Sequence, residues 1–355
     1  MIQGTVEQDA WVQSEIRLGT PRFVTNGADF NDVLRTVARI RRTEEWCREW
    51  CATAAMHEEL AKEAERKGRI LTAGEAYLRA GVCYHWAKMR WIEDEAQYHE
   101  AHRKSIETFW KGLRYLDPTA ERVEVPFEGI TMPAHLRRPL GAARRPPIVI
   151  LVPGADSVKE EFFHWANVFL KRGMATLAVD GPGQGETRDK MPVRHDYEKA
   201  GSAIIDYLET RDDIDATRIG VVGVSMGGYY APRIAAFEPR VKAVVSCGGS
   251  FKMRLTPDRV NKWAMFTHWC KTPEEVVEKA SKRTLEGVIK NIRCPYLVVN
   301  GKLDEQTSYT NTEELAREAG AEYVLYEEGN HVCNNIPYKY QPLVGDWMAD
   351  RLFGP

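Results

Sequence analysis

Gly223-Val224-Ser225-Met226-Gly227 is the stretch of this chain with the plainest chemical use. It is a G-x-S-x-G run set directly after the apolar segment RIGVVG and directly before a helix-like segment. A sharp strand-to-helix turn exposes a serine hydroxyl, and small residues on either side let the backbone bend. The same five residues also fit an ordinary glycine-rich turn, but the flanking segments favour a nucleophile. A serine hydroxyl is a poor nucleophile until a base takes its proton. The base should be a histidine oriented by a carboxylate, in the chain order serine, acid, histidine. Downstream of Ser225 the chain has His268 and His331. His331 follows the last strand-like segment, in EEGNHVC, whereas His268 lies in an irregular stretch, so His331 is the expected base. VVNGKLDEQT, after the penultimate strand, offers Asp304 as the carboxylate, with Glu305 beside it. The bland use of Asp304 is a helix cap.

An oxyanion formed on the substrate needs two backbone N–H donors. One is expected from Met226, the residue after the nucleophile. The other is expected from the loop after PIVILVPG, at Ala155, with Asp156 next. Ser157-Val158-Lys159-Glu160 matches a capping box, so this loop should open a helix. Glu160 and Glu161 then read as structural, with polar support of the site by Asp156 and Glu160 as the sharper alternative. Asp180-Gly181-Pro182-Gly183-Gln184-Gly185 contains G-x-G after a strand but lacks the full dinucleotide pattern and carries a proline in its turn. His99 and His102 are an i, i+3 pair on a helix with no evident third ligand, which reads as a solvated face and not a metal site. No cofactor is expected.

Aromatic residues supply the candidates for binding. Trp263, Phe266, His268 and Trp269 cluster in one segment, and Tyr84, His85 and Trp86 in another. Each also fits ordinary core or interface packing.

These residues need elements to position them. Six of the 10 Trp but only 7 of the 27 Gly and 2 of the 18 Pro fall in residues 1–120. Three amphipathic runs between 29 and 116 read as helices, with Gly68 as a stop. From 122 onward a hairpin is followed by alternating strands and helices, the pattern of a mostly parallel sheet with helices on both faces. Residues 251–290 interrupt that alternation without a clear strand, where a lid can hang over the strand ends. The expected organisation is a helical domain at 1–120, an α/β core at 121–250, a helical lid insertion at 251–290, and the rest of the core at 291–355.

The charge balance is 49 basic against 51 acidic residues, which excludes nucleic-acid binding carried by bulk charge. No segment approaches the roughly 20 apolar residues of a membrane span, and MIQGTVEQDAWV lacks the apolar region of a secretory signal. Seven cysteines without a CxxC pair are expected to be reduced thiols, in a cytoplasmic protein. Cys47 and Cys51 suit packing on one helix face.

The strand-borne GVSMGG, the DGPGQGE turn, NGKLD and GNH together resemble an α/β-hydrolase over residues 122–355. AHRKSIETF, RVEVPFEGITMPAHLRRP and VPGADSVKEEFF extend the likeness into the first third. They resemble the group that contains 2,6-dihydroxypseudooxynicotine hydrolase and the fungal polyketide-shortening hydrolases, with the bacterial fermentation-respiration switch group more distant. The resemblance implies a serine triad that cleaves a carbon–carbon bond beside a ketone. Some members have a further active-site Glu after the strand that follows the nucleophile; the corresponding stretch here, SCGGSFKMRLTPD, has none.

The leading expectation is therefore a Ser225–His331–Asp304 hydrolase of a small carbonyl compound, through an acyl-enzyme. A carboxylesterase with the same triad is the alternative. A catalytically idle binding protein on a hydrolase scaffold is a third reading, disfavoured by the intact triad. A homodimer through the Trp-rich helices is also expected.

Overall fold

The computed structural model describes residue 5 and residues 7–141 and 145–354. The opening residues 1–4, on which the reading of the N-terminus partly rests, lie outside the described residues. The chain divides into two compact units, Met1–Ala120 and Glu121–Pro355.

The first unit is helical: α1 (Ala10–Thr25), α2 (Phe30–Val37), α3 (Trp46–Arg66), α4 (Ile70–Lys88) and α5 (Glu95–Leu116). The periodicity predicted helices only from 29; α1 lies upstream and contains Pro21, which hid it. Its place is held by Phe23, which is fully buried and meets Trp46, Trp50 and Trp86 at centroid separations of 6.3, 5.5 and 4.7 Å. α3 stops as expected, because Gly68 takes a positive φ of 68° just after it. Helices α4 and α5 pack with almost no gap: a Cβ at Gly81 would stand 2.6 Å from Phe109 Cβ. The expectation of a solvated histidine pair is corrected at His102, which is buried and stacks on Tyr98; only His99 is exposed.

The second unit opens with the antiparallel hairpin of β1 (Glu121–Phe127) and β2 (Ile130–Arg137). Glu128 and Gly129 turn it with φ of 42° and 82°, the type I′ geometry that matches strand twist. The remaining strands are β3 (Pro147–Val152), β4 (Ala175–Val179), β5 (Asp215–Val224), β6 (Val241–Cys247), β7 (Tyr296–Gly301) and β8 (Glu322–Tyr326). The sheet order is β1-β2-β4-β3-β5-β6-β7-β8, parallel from β4 to β8. Alternate residues of the central strands enter two cores. Ile148, Ile150 and Val221 join one with α7 (Glu198–Glu209), α8 (Met226–Phe237) and α11 (Tyr309–Ala319). Val149, Leu151 and Val222 join the other with α6 (Phe163–Leu170) and α12 (Pro337–Phe353). This is the α/β-hydrolase fold.

Between β6 and β7 the chain forms α9 (Lys262–His268) and α10 (Pro273–Ser281). Its two feet are stitched by a Lys252–Thr284 bridge and by Leu285 N–H donating to the Phe251 carbonyl at 2.9 Å. No helix among the described residues is long and apolar enough to cross a membrane.

Candidate active site

Strand β5 is central and delivers Ser225 at its C-terminal end. Ser225 has φ 55° and ψ −121°, a region costly for a residue with a side chain. The surroundings enforce it. Its N–H donates to the Cys247 carbonyl at 2.8 Å, and its carbonyl accepts from Gly228 N–H at 2.8 Å. The neighbouring glycines are required by contact: a Cβ at Gly223 would lie 1.9 Å from Gly227 O, and one at Gly227 would lie 2.1 Å from Val152 O.

The ends of β7 and β8 bring the other two groups. Ser225 Oγ and His331 Nε2 are 2.9 Å apart, and His331 Nδ1 and Asp304 Oδ2 are 2.8 Å apart. Asp304 Oδ1 accepts from Gln306 and Thr307 N–H at 2.8 Å each, so its carboxylate is pinned on both oxygens. The carboxylate only accepts, so Nδ1 carries the ring proton toward it and Nε2 faces the hydroxyl as acceptor. Leu303 N–H donates to Gly329 O at 2.8 Å, tying the acid loop to the histidine loop. His331 is followed by Val332 and Cys333 at φ 58° and 55°, two non-glycine residues in left-handed backbone.

Met226 is the first residue of α8, so its N–H has no acceptor within the helix. Its thioether is clamped by Arg283 Nη1 at 3.0 Å and Tyr230 Oη at 3.4 Å. The loop carrying Ala155 lies against the nucleophile, since a Cβ on Gly154 would stand 3.1 Å from Ser225 Cβ. Its carbonyls are occupied from behind. Gln184 Nε2 donates to Pro153 O at 2.5 Å and Gly154 O at 3.2 Å, and Arg188 Nη2 donates to Ala155 O at 3.3 Å. Tyr197 Oη holds Gln184 Oε1 at 2.9 Å. Sequence reasoning missed Gln184 and Arg188; the DGPGQGE turn after β4 was the signal.

The expected capping box is corrected. Lys159–Phe162 form a 3-10 turn whose N-cap is Val158 without a side-chain cap, and the Lys159 N–H donates to Asp180 Oδ1 at 2.8 Å. Asp180 thus caps this loop from another strand. Lys159 Nζ is fully buried, 2.9 Å from Asp180 Oδ2 and 2.6 Å from Glu186 Oε1. It stands 2.6 Å from Glu160 Oε1 in charge contact without hydrogen-bond alignment. Burial alone would lower the Lys159 pKa; Asp180, Glu160 and Glu186 outweigh it and hold it above the ordinary value. The Glu160–Asp180–Glu186 carboxylates have the spacing of a metal site, but the ammonium sits among them as their cation. Asp156 is half-buried in the same loop.

The aromatic candidates separate. Trp263 and His268 are buried on α9, and Phe266 lies 5.8 Å from Trp263 between ring centroids. The Arg188 guanidinium covers the Trp263 ring at 4.5 Å. Trp269 is left-handed at φ 53° and 52% exposed. In the helical unit Tyr84 bonds Glu58 at 2.7 Å, His85 is buried against Trp86, and Trp86 belongs to the Phe23 core.

Comparison with known proteins supplies the family. The model described as "Esterase FrsA-like" matches residues 20–265, and that described as "BAAT / Acyl-CoA thioester hydrolase C terminal" matches 198–345. The chain is 34% identical to a "2,6-dihydropseudooxynicotine hydrolase" of Paenarthrobacter nicotinovorans, across 93% of this chain and 91% of that protein. It is 34% identical to a "20-hydroxy-prefusarin hydrolase" of Gibberella moniliformis, over 69% of this chain and 62% of that one. The crystal structure of a 2,6-dihydroxy-pseudo-oxynicotine hydrolase superposes with a TM-score of 0.84 at 31% identity, covering 94% of this chain and 95% of that one. The chain belongs to the FrsA-like esterase family within the α/β-hydrolases, and it is a hydrolase.

Proposed function

We propose that the chain is a serine hydrolase that cleaves a carbon–carbon bond beside a ketone in an aromatic or polyketide-like substrate. The observation that carries this reading is the unbroken Ser225–His331–Asp304 hydrogen-bonded relay at a strained turn. Ser225 Oγ attacks the carbonyl carbon as its proton passes to His331 Nε2. Asp304 keeps the imidazole in the right tautomer and stabilises the imidazolium. The Met226 and Ala155 amides receive the oxyanion. On collapse the carbon–carbon bond breaks, and the leaving carbon takes the proton from His331. Water, deprotonated by His331, then attacks the acyl-Ser225 ester and releases the carboxylic acid. The sum is ketone plus water giving an acid and a C–H product. The carbanion must be delocalised to leave, which suits an electron-rich aryl or enolisable group.

The family model's esterase description favours a second reading, a carboxylesterase with the same relay. Side-by-side turnover of 1,3-diketones, aryl ketones and aryl esters separates the two. Rapid ester hydrolysis with no ketone cleaved would sink the carbon–carbon reading. In either case α9 and α10 act as a lid, and Trp263, Phe266 and Trp269 contribute to substrate selection. A cytoplasmic homodimer is the proposed working form. Light scattering that finds only monomer removes the dimer.

A further inference from the structure

Among the described residues, the buried guanidinium groups of the second unit differ in what they face. Arg233 is paired with Glu198 at 2.9 Å, and Arg188 lies over Trp263 at 4.5 Å. Arg283, 5% exposed at the foot of the insertion, meets Met226 Sδ at 3.0 Å and the Tyr230 hydroxyl, and has no carboxylate among the described residues. Its Nε has no acceptor among the described residues. An unpaired buried charge is costly, and its burial pushes the pKa of Arg283 below the ordinary value.

Arg283 is a wall of a cavity of about 320 Å³, together with Pro192–Asp196, His268, Lys279 and Lys282. Ser225, Asp304 and His331 are not among its walls. Its charges do not cancel. Asp196 is already held by Arg194 and Lys199, at 2.8 and 2.9 Å. Lys279 Nζ spends its contact on a neutral acceptor, the His268 carbonyl at 2.8 Å. Lys282 is 3.6 Å from Glu278 and half exposed. Arg283 and Lys279 thus face the cavity without a carboxylate of their own. His268 adds a second demand. Its Nδ1 lies 2.8 Å from the Ala264 carbonyl, which only accepts, so Nδ1 carries the proton and Nε2 is a bare acceptor. Nε2 is buried and has no partner among the described residues.

We propose that this cavity, whose walls do not include the triad residues, binds a small oxyanion that also bears a hydroxyl. The anionic oxygens meet Arg283 and Lys279, and the hydroxyl donates to His268 Nε2. Hydrogen phosphate and a hydroxylated carboxylate share that chemistry. The site does not depend on which bond Ser225 attacks. The loop from Arg194 is pinned to α8 by Tyr230 Oη on Arg194 O and Tyr229 Oη on His195 O, at 3.0 Å each.

The test is calorimetric titration of the full chain, as the Ser225→Ala variant to prevent turnover, with inorganic phosphate, 3-hydroxybenzoate and benzoate. One phosphate or 3-hydroxybenzoate per chain is expected, with benzoate bound about ten-fold more weakly for want of the hydroxyl. Phosphate alone, or 3-hydroxybenzoate alone, binding at that stoichiometry identifies the free ion or the organic acid as the source. Lys279→Met, on an exposed position that leaves the core intact, is expected to weaken binding about ten-fold. Arg283→Met is expected to abolish it, and His268→Phe to erase the preference over benzoate. The proposal is overturned if neither hydroxylated anion binds, or if binding is unchanged in both Lys279→Met and Arg283→Met.

Discussion

Asp304 uses its two oxygens differently: Oδ1 is fixed by two backbone N–H groups and Oδ2 faces His331 Nδ1. Asp304→Asn keeps the size but presents an amide N–H to Nδ1 in one orientation, which moves the ring proton to Nε2 and blocks proton uptake from Ser225. A fall in kcat of about 10⁴-fold is expected, with a smaller change in KM, measured on whichever ester or ketone the wild type turns over. Gly227→Ala forces a Cβ to within 2.1 Å of Val152 O, so activity and the thermal midpoint should fall together. Much of this site was legible in the sequence because each residue follows a strand, and strand ends on one sheet edge meet. Gln184 was harder to read. The DGPGQGE turn marked its neighbourhood, but its role is to donate to carbonyls some thirty positions earlier, and a glutamine's type does not name a partner that far away.

At the scale of elements, the loop after β3 is held by the turn after β4. Gln184→Ala removes the donor behind Pro153 and Gly154 and leaves Tyr197 and two carbonyls unmatched. The loop should drift, lowering kcat about ten- to a hundred-fold with KM moving less, since the loss falls on transition-state alignment. Lys159→Met tests the buried network. Removing one partner leaves uncompensated carboxylates, at a cost of about 3–5 kcal/mol, read by urea denaturation. The same network predicts acid sensitivity. Burial alone would raise the Glu186 pKa, but Lys159 and Arg122 outweigh it and hold the carboxyl down to about 2. A carboxylate of depressed pKa stabilises the fold above its unfolded value, about 4.3, and loses that stabilisation as pH falls through the folded value. Stability should therefore drop between about pH 4.5 and pH 2, and Glu186→Gln should flatten that slope; an unchanged slope would refute the assignment. The misjudged capping box belongs to this scale. Ser157 to Glu160 has the right letters, but the turn starts one residue later with Val158 as its N-cap, and Asp180 takes the Lys159 N–H.

At the scale of the whole molecule, the strand–helix alternation was legible because the buried strands carry apolar runs and end at or near glycine-bearing turns. Helix α1 escaped because Pro21 breaks its local pattern, and burial of Val12, Ile16 and Phe23, the last against three tryptophans, helps the segment hold. Local propensity says little where tertiary burial decides. Phe23→Ala should therefore cost the helical unit about 3–5 kcal/mol, followed by tryptophan fluorescence during denaturation, since three indoles report on that core.

The backbone at Ser225 has one more consequence. With φ 55° and ψ −121°, this position is best suited to glycine, which has no Cβ to strain. Ser225→Gly should raise the thermal midpoint relative to Ser225→Ala, because alanine keeps the strain and glycine releases it, by about 1 kcal/mol or more. Serine thus stands where glycine would be more comfortable, and the fold carries the strain of presenting a hydroxyl there.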